Sequence, residues 1–180
     1  EMCIRDSYTS IAVTTDDSND EIVYASSMGD GVIQYKNGTP VQSYNEKNAF
    51  KETAGGYGSG YCYIDGLAFD KNGNLWMTSS EVNHAVLVLD KAGAWHRLDI
   101  EQLRGVYTIN DILITSTNDK WIYVPRNTPK LVMIPNSESL DEVSSYEFTT
   151  LIDTDGKELT PSNYTLSLIH ISEPTRHLRI

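Results

Sequence analysis

Three stretches of the chain repeat one alternation of apolar and polar positions. They are "IAVTTDDSNDEIVYASS" from Ile11, "IDGLAFDKNGNLWMTSS" from Ile64 and "INDILITSTNDKWIYVP" from Ile109. In each, the opening Ile is followed twelve positions later by a second apolar anchor: Val23, Trp76 and Trp121. A polar turn falls between, at Ser18-Asn19-Asp20, Lys71-Asn72-Gly73 and Thr117-Asn118-Asp119. Period-two alternation bounded by such turns predicts strands. A third strand follows in each unit, in "GVIQYKNG", "AVLVLDKAG" and "KLVMIPNS". The first two of these close on Asn37-Gly38 and Ala92-Gly93, dipeptides suited to tight hairpins. A more polar fourth strand comes next, in "PVQSYNE", "AWHRLDI" and "SSYEFTTLI".

The units are spaced 53 and then 45 residues apart, the excess lying in "KETAGGYGSGY". Four short strands per repeat of about 40–45 residues is the pattern of propeller blades. The fold expected is all-β: an incomplete β-propeller of about three four-stranded blades plus a stub of a fourth. The blades are expected at about 8–50, 61–104 and 106–152, with 153–165 opening the next. Three blades do not close a ring of roughly 4–8. An open arc leaves a sheet face bare at each end, so poor solubility or partial unfolding is expected of it alone.

The two ends break the pattern. "EMCIRDS" (Glu1 to Ser7) can be spelled GAG ATG TGT ATA AGA GAC AG. The reverse complement of those letters reads Leu-Ser-Leu-Ile-His-Ile-Ser, which is Leu166 to Ser172. Both ends thus resemble one sequencing adapter translated from opposite strands, with "EPTR" continuing it. Residues 1–7 and 166–180 are therefore set aside from fold reasoning.

Removing them takes away three basic and three acidic residues, so the net charge stays at −11. That balance disfavours a partner tracked through its phosphates, and no nucleic acid is expected. No apolar run is long enough for a membrane span. Cys62 becomes the only cysteine and His84 and His96 the only histidines, which excludes an internal disulfide and a cysteine-rich metal site. No Gly-x-Ser-x-Gly elbow, phosphate loop or His-Glu-x-x-His appears. No catalytic residue, metal ligand or cofactor is expected, and Cys62 reads as a small buried apolar residue.

Some local features invite sharper readings. "DKNGN" and "DTDGKE" begin like calcium loops but lack the later ligands, so solvated hairpin turns are expected. Trp76 and Trp121 suit sugar stacking, yet their mid-strand places favour packing between blades. Trp95, on a polar fourth strand, is expected to be more exposed. "GGYGSGYCY" joins mobile glycines to Tyr57, Tyr61 and Tyr63, amphipathic side chains that bind at low entropic cost. It sits in the longer spacer, where binding loops commonly lie. Arg126, in "VPRNTP", offers a fork for a carboxylate or phosphate. Tyr57, Tyr61, Tyr63 and Arg126 are the expected ligand-binding residues.

"IDGLAFDKNGNLWMTSS" resembles the two-component regulator propeller repeat. "DILITSTNDKWIYVPRNTPKLVMI" and "FTTLIDTDGKELTPSNY" resemble segments of PorZ-like propellers. The resemblance implies a non-enzymatic component of the type IX secretion system of Bacteroidetes, exported to the cell surface or periplasm. It implies lipopolysaccharide or another glycan, and secretion-machinery proteins, as partners. The repeat also occurs in periplasmic glycan sensors of hybrid two-component histidine kinases, the alternative role; a propeller lyase or hydrolase ranks last.

Overall fold

A computed structural model describes residues 8–51, 60–152 and 154–159. Both adapter-like ends and Tyr57 lie outside them. Three four-stranded antiparallel sheets follow one another, each meandering in chain order. The first holds β1 (Tyr8–Thr15), β2 (Glu21–Ser27), β3 (Val32–Lys36) and β4 (Thr39–Tyr44). The second holds β5 (Ile64–Phe69), β6 (Leu75–Ser79), β7 (Val86–Leu89) and β8 (Trp95–Leu98). The third holds β9 (Ile112–Ile114), β10 (Lys120–Val124), β11 (Lys130–Ile134) and β12 (Tyr146–Phe148). A short hairpin, β13 (Leu151–Ile152) with β14 (Glu158–Leu159), is the stub. A 3-10 turn at Glu101–Leu103 links the second and third sheets, and no α-helix occurs among the described residues. This is an all-β propeller arc of three blades.

The opening strands β1, β5 and β9 lie side by side along the inner edge. Thr9 donates its hydroxyl to the Ile64 carbonyl, and the Leu67 amide donates to Ser10 Oγ at 3.1 Å. Thr78 Oγ1 reaches the Asn110 carbonyl at 3.2 Å. Strand β5 passes so close to β9 that a Cβ on Gly66 would meet the Ile112 nitrogen at 2.7 Å. Only glycine allows that approach.

The cross-strand pairs set the equivalence between blades. Ala68 faces Trp76, Leu113 faces Trp121 and Thr14 faces Ile22. Blades two and three thus match at the expected 45-residue offset, but blades one and two match at 54, not 53. The equivalent of Trp76 is Ile22, not Val23. Side chains alternate between faces, so a slip of one residue exchanges the two sides. Ile22 is buried toward the second sheet, whereas Val23 is only half-buried on the outward face. The turns confirm the register. Asn19, Gly73 and Asn118 occupy matched positions, each with positive φ (63°, 83° and 69°).

Two cores result. One lies between the first and second sheets and includes Ile22, Tyr24, Leu75, Met77 and Leu87. The other lies between the second and third and includes Trp76, Val88, Ile112, Ile122 and Val132. Trp76 packs between blades as expected. Trp121 faces away from the second sheet and is half-buried, stacked on Phe148 with ring centres 5.4 Å apart. On the opposite end of the arc, Ile11 and Val13 stand 62% and 58% exposed.

Two further expectations change. The "DKNGN" turn is not solvated at its acid: Asp70 is buried and organises it. Its carboxylate accepts from the Asn72 and Asn74 amides, from Asn74 Nδ2 and from Trp76 Nε1, at 2.8–3.0 Å. Trp95 is half-buried, edge-on to both Tyr44 and Phe50 at 5.5 Å, because the first blade's closing loop folds over it. Cys62 is buried as expected, and burial pushes its thiol up to about 11.

Candidate functional site: a tyrosine-bearing face

The segment entering β5 is clamped to the first blade. The Cys62 amide donates to the Gly29 carbonyl at 2.8 Å, and Asp30 bridges Cys62 in parallel. Gly29 itself lies against the Tyr61 ring. These contacts hold Tyr61 and Tyr63 on one side of the strand, because alternate residues share a face. Their rings stack at 6.3 Å with planes 16° apart. The structure therefore brings together two of the four residues expected from sequence. Arg126 is exposed on the β10–β11 loop of the third blade, where its carbonyl accepts from the Thr128 amide.

Three further residues join the tyrosine pair. Burial raises the Tyr63 hydroxyl above its ordinary pKa, and the nearby Asp65, Tyr61, Glu81 and Tyr107 raise it further. Tyr107 is 56% exposed and extends the aromatic surface. Glu81 sits on the β6–β7 loop with φ of 62°, an uncommon left-handed conformation for this residue type. Its amide donates to the Val106 carbonyl at 2.8 Å, tying that loop to the linker before β9.

Asp65 is the chemical centre of the patch. Burial pushes its carboxyl up to about 8, and the hydrogen bond from Ser80 only partly offsets this. Ser80 Oγ donates to Asp65 Oδ2 at 2.7 Å and accepts the Ile109 amide at 2.8 Å. Asp65 is therefore neutral at pH 7. The face presents three phenols, one neutral carboxyl group and the Glu81 side chain. Such a surface is suited to stacking and neutral hydrogen bonds. Among the described residues no group of three or more His, Cys, Asp or Glu is placed to hold a metal ion.

Sequence reasoning missed Asp65, Ser80, Glu81 and Tyr107. An acid lodged between Ile64 and Gly66, inside a strand, was the available signal for Asp65. Glu81 and Tyr107 lie in connections whose meeting no local pattern announces.

An arc of a β-propeller bearing a tyrosine-rich face is the class of structure these observations define. Two likenesses among solved structures agree with the fold. One is PorZ of Porphyromonas gingivalis, described as an essential bacterial surface component of the type-IX secretion system. It has a TM-score of 0.71 at 18% identity, over 83% of this chain and 20% of that one. Another is the extracellular domain of a B. thetaiotaomicron protein, BT4673, described as a hybrid two-component system. It has a TM-score of 0.54 at 15% identity, over 78% of this chain and 19% of that one. A third, to a Bacteroides uniformis protein titled a 6-phosphogluconolactonase, reaches only 0.49 at 10% identity and carries no argument. This chain spans about a fifth of the length of the first two. No family model and no curated protein matches the sequence. Among the described residues no helix is long and apolar enough to cross a membrane.

Proposed function

We propose that the chain is a non-enzymatic binding segment of a PorZ-like propeller, exported to the cell surface or periplasm and serving type IX secretion. Its blades span about 8–50, 61–104 and 106–152, with 153–165 beginning the next. The observation that carries this reading is the alignment of 83% of the chain on PorZ at a TM-score of 0.71. The tyrosine face around Tyr61, Tyr63 and Asp65 is its contact surface. The ligand there is a secretion-machinery protein or a glycan, and Arg126 contributes from the β10–β11 loop. The charge of −11 argues against capture of an anionic lipopolysaccharide by the overall field.

Deleting the gene in its own host tests the reading. Loss of type IX cargo from the surface is the expected result. Unchanged cargo secretion, with a lost transcriptional response to glycans, replaces it with the kinase-sensor reading. The likeness to the BT4673 extracellular domain, at a TM-score of 0.54, keeps that second reading in place.

A further inference from the structure

A small cavity lies at the seam between the first and second blades, behind the tyrosine face. Three elements line it. The loop closing the first blade gives Phe50 and Lys51, the β6–β7 loop gives Val82 and His84, and β8 gives Arg97. Ser79 and Leu87 complete it. Two permanent cations and an imidazole thus converge, and among the described residues no carboxylate lines the cavity. An all-basic lining runs against the composition of a chain with 25 acidic and 14 basic residues.

Arg97 points to a missing ligand. It pairs with Leu87, whose side chain belongs to the core shared with the first blade, so the guanidinium enters that seam. There the Asn45 carbonyl accepts the Ala49 and Phe50 amides at 2.9 and 3.0 Å, in a turn that presents the Ala49 carbonyl. Arg97 Nη2 donates to that carbonyl at 2.6 Å. The Arg97 Nε–H is buried and meets no acceptor. An unpaired N–H on a buried charge is costly, and native folds leave few. The neighbours do not supply an acceptor. Asp99 feels the charge of His84, but its two oxygens are held by the Arg104 fork at 2.5 and 2.6 Å. Ser79 donates its hydroxyl to the Tyr63 carbonyl at 2.9 Å.

We propose that this cavity binds a single monovalent anion of chloride's size. The space is about 10 Å³, room for one water-sized particle and too little for a phosphate or a sugar ring. A water would meet the Nε–H but leave the cationic charge uncompensated, which is the larger cost in a partly buried site. The overall charge of −11 repels anions at long range, but physiological salt screens that field within about 8 Å. Inside the cavity the adjacent cations decide. The ion joins β8 to the closing loop of the first blade, so it stabilises the seam according to its occupancy. The site does not depend on the secretion role, because only the cavity residues form it.

Thermal melts of the full chain at constant ionic strength test this, with sodium chloride replacing sodium gluconate, whose anion is too large to enter. The line width of the chloride nuclear resonance reports binding directly. The expected result is a broadened line and a midpoint rise of about 2–4 °C from about 5 to about 150 mM chloride. Arg97→Gln should abolish both effects. Lys51→Met, on an exposed bend, leaves the core unchanged and should weaken chloride binding about threefold. Equal midpoints in the two salts overturn the proposal and leave a water on Nε. Equal chloride dependence in the wild type and Lys51→Met overturns it as well. Cargo secretion reports separately on the role proposed above, so either reading can fail alone.

Discussion

The two interfaces between blades are built from the same strands, yet they differ in how they close. Between the second and third blades, a buried polar scaffold supports a large side chain. Asp70 holds Trp76 through its indole nitrogen, and Asn118 accepts the Lys71 amide at 2.9 Å while donating to Asn136 at 2.8 Å. His96 reaches Asp141 of the third blade at 3.0 Å. Between the first and second blades, aromatic rings pack one end around Trp95, Tyr44 and Phe50, and the other end stays open. One repeat thus makes a sealed seam or a cleft: Trp76 and Lys120 in the sealed one stand where Ile22 and Leu75 stand in the other. The sealed seam has its buried polar groups paired, which is what makes burying them tolerable.

The largest expected effect comes from breaking the sealed seam. Trp76→Ala should cost about 3–5 kcal/mol, because it removes a buried indole and leaves the Asp70 acceptor short of a donor. Ile22→Ala at the matched position should cost about 2 kcal/mol, since it removes a smaller buried side chain that makes no side-chain hydrogen bond. Denaturant unfolding of both variants checks the ranking, and equal costs would erase the distinction between the seams. Gly66→Ala should cost about 1–3 kcal/mol by wedging β5 from β9. The same melts measure it; a neutral result would mean the inner strands separate freely.

Smaller effects are read through pH. Asp65 holds its proton in the fold up to about pH 8, whereas the unfolded chain releases it near its ordinary value of 3.8. Its contribution is therefore fully present below about pH 4 and is lost as pH rises toward 8. Asp65→Asn should remove this decline, so its unfolding midpoint should gain on wild type between pH 5 and pH 8. A constant difference would show the carboxyl to be solvated. His96 works with the opposite charge. Hydrogen bonds to Asp90 first and to Asp141 second raise its pKa above 6.5. The stability it adds is present below that value and fades as pH rises through the raised one. His96→Asn should therefore lose under about 1 kcal/mol at pH 5.5 and less at pH 8.5, as measured by melts at both.

Much of the blade plan was legible along the chain. Alternation marked the strands of each sheet, and Asn37-Gly38 and Gly93 marked hairpins where φ is indeed positive. The match of the second and third repeats at 45 residues survived unchanged, because their turns have one length and both carry Trp at the same place. The first repeat was misread by one residue. Aligning the repeats on Ile11 and Ile64 paired Asn72 with Asn19, whereas the left-handed position falls on Gly73. Positive φ is common to Asn and Gly, so the turn residues did not correct the register that backbone conformation decides. Of the tyrosine face, Tyr61 and Tyr63 were legible as a paired feature of a glycine-rich spacer. Asp65 and Glu81 were not, since their neighbourhood depends on loops from two blades meeting.

The sequence by itself determined the all-β class, the four-strand repeat and the turn positions, because each rests on contacts a few residues apart. Only the tertiary structure decided which apolar residues face a neighbour and which face outward. It buried Asp70 as a scaffold, half-buried Trp121 on an open face and left a cleft above Ile22. The reason is geometric: a strand has two equivalent faces, and only the packing of one sheet on the next tells them apart.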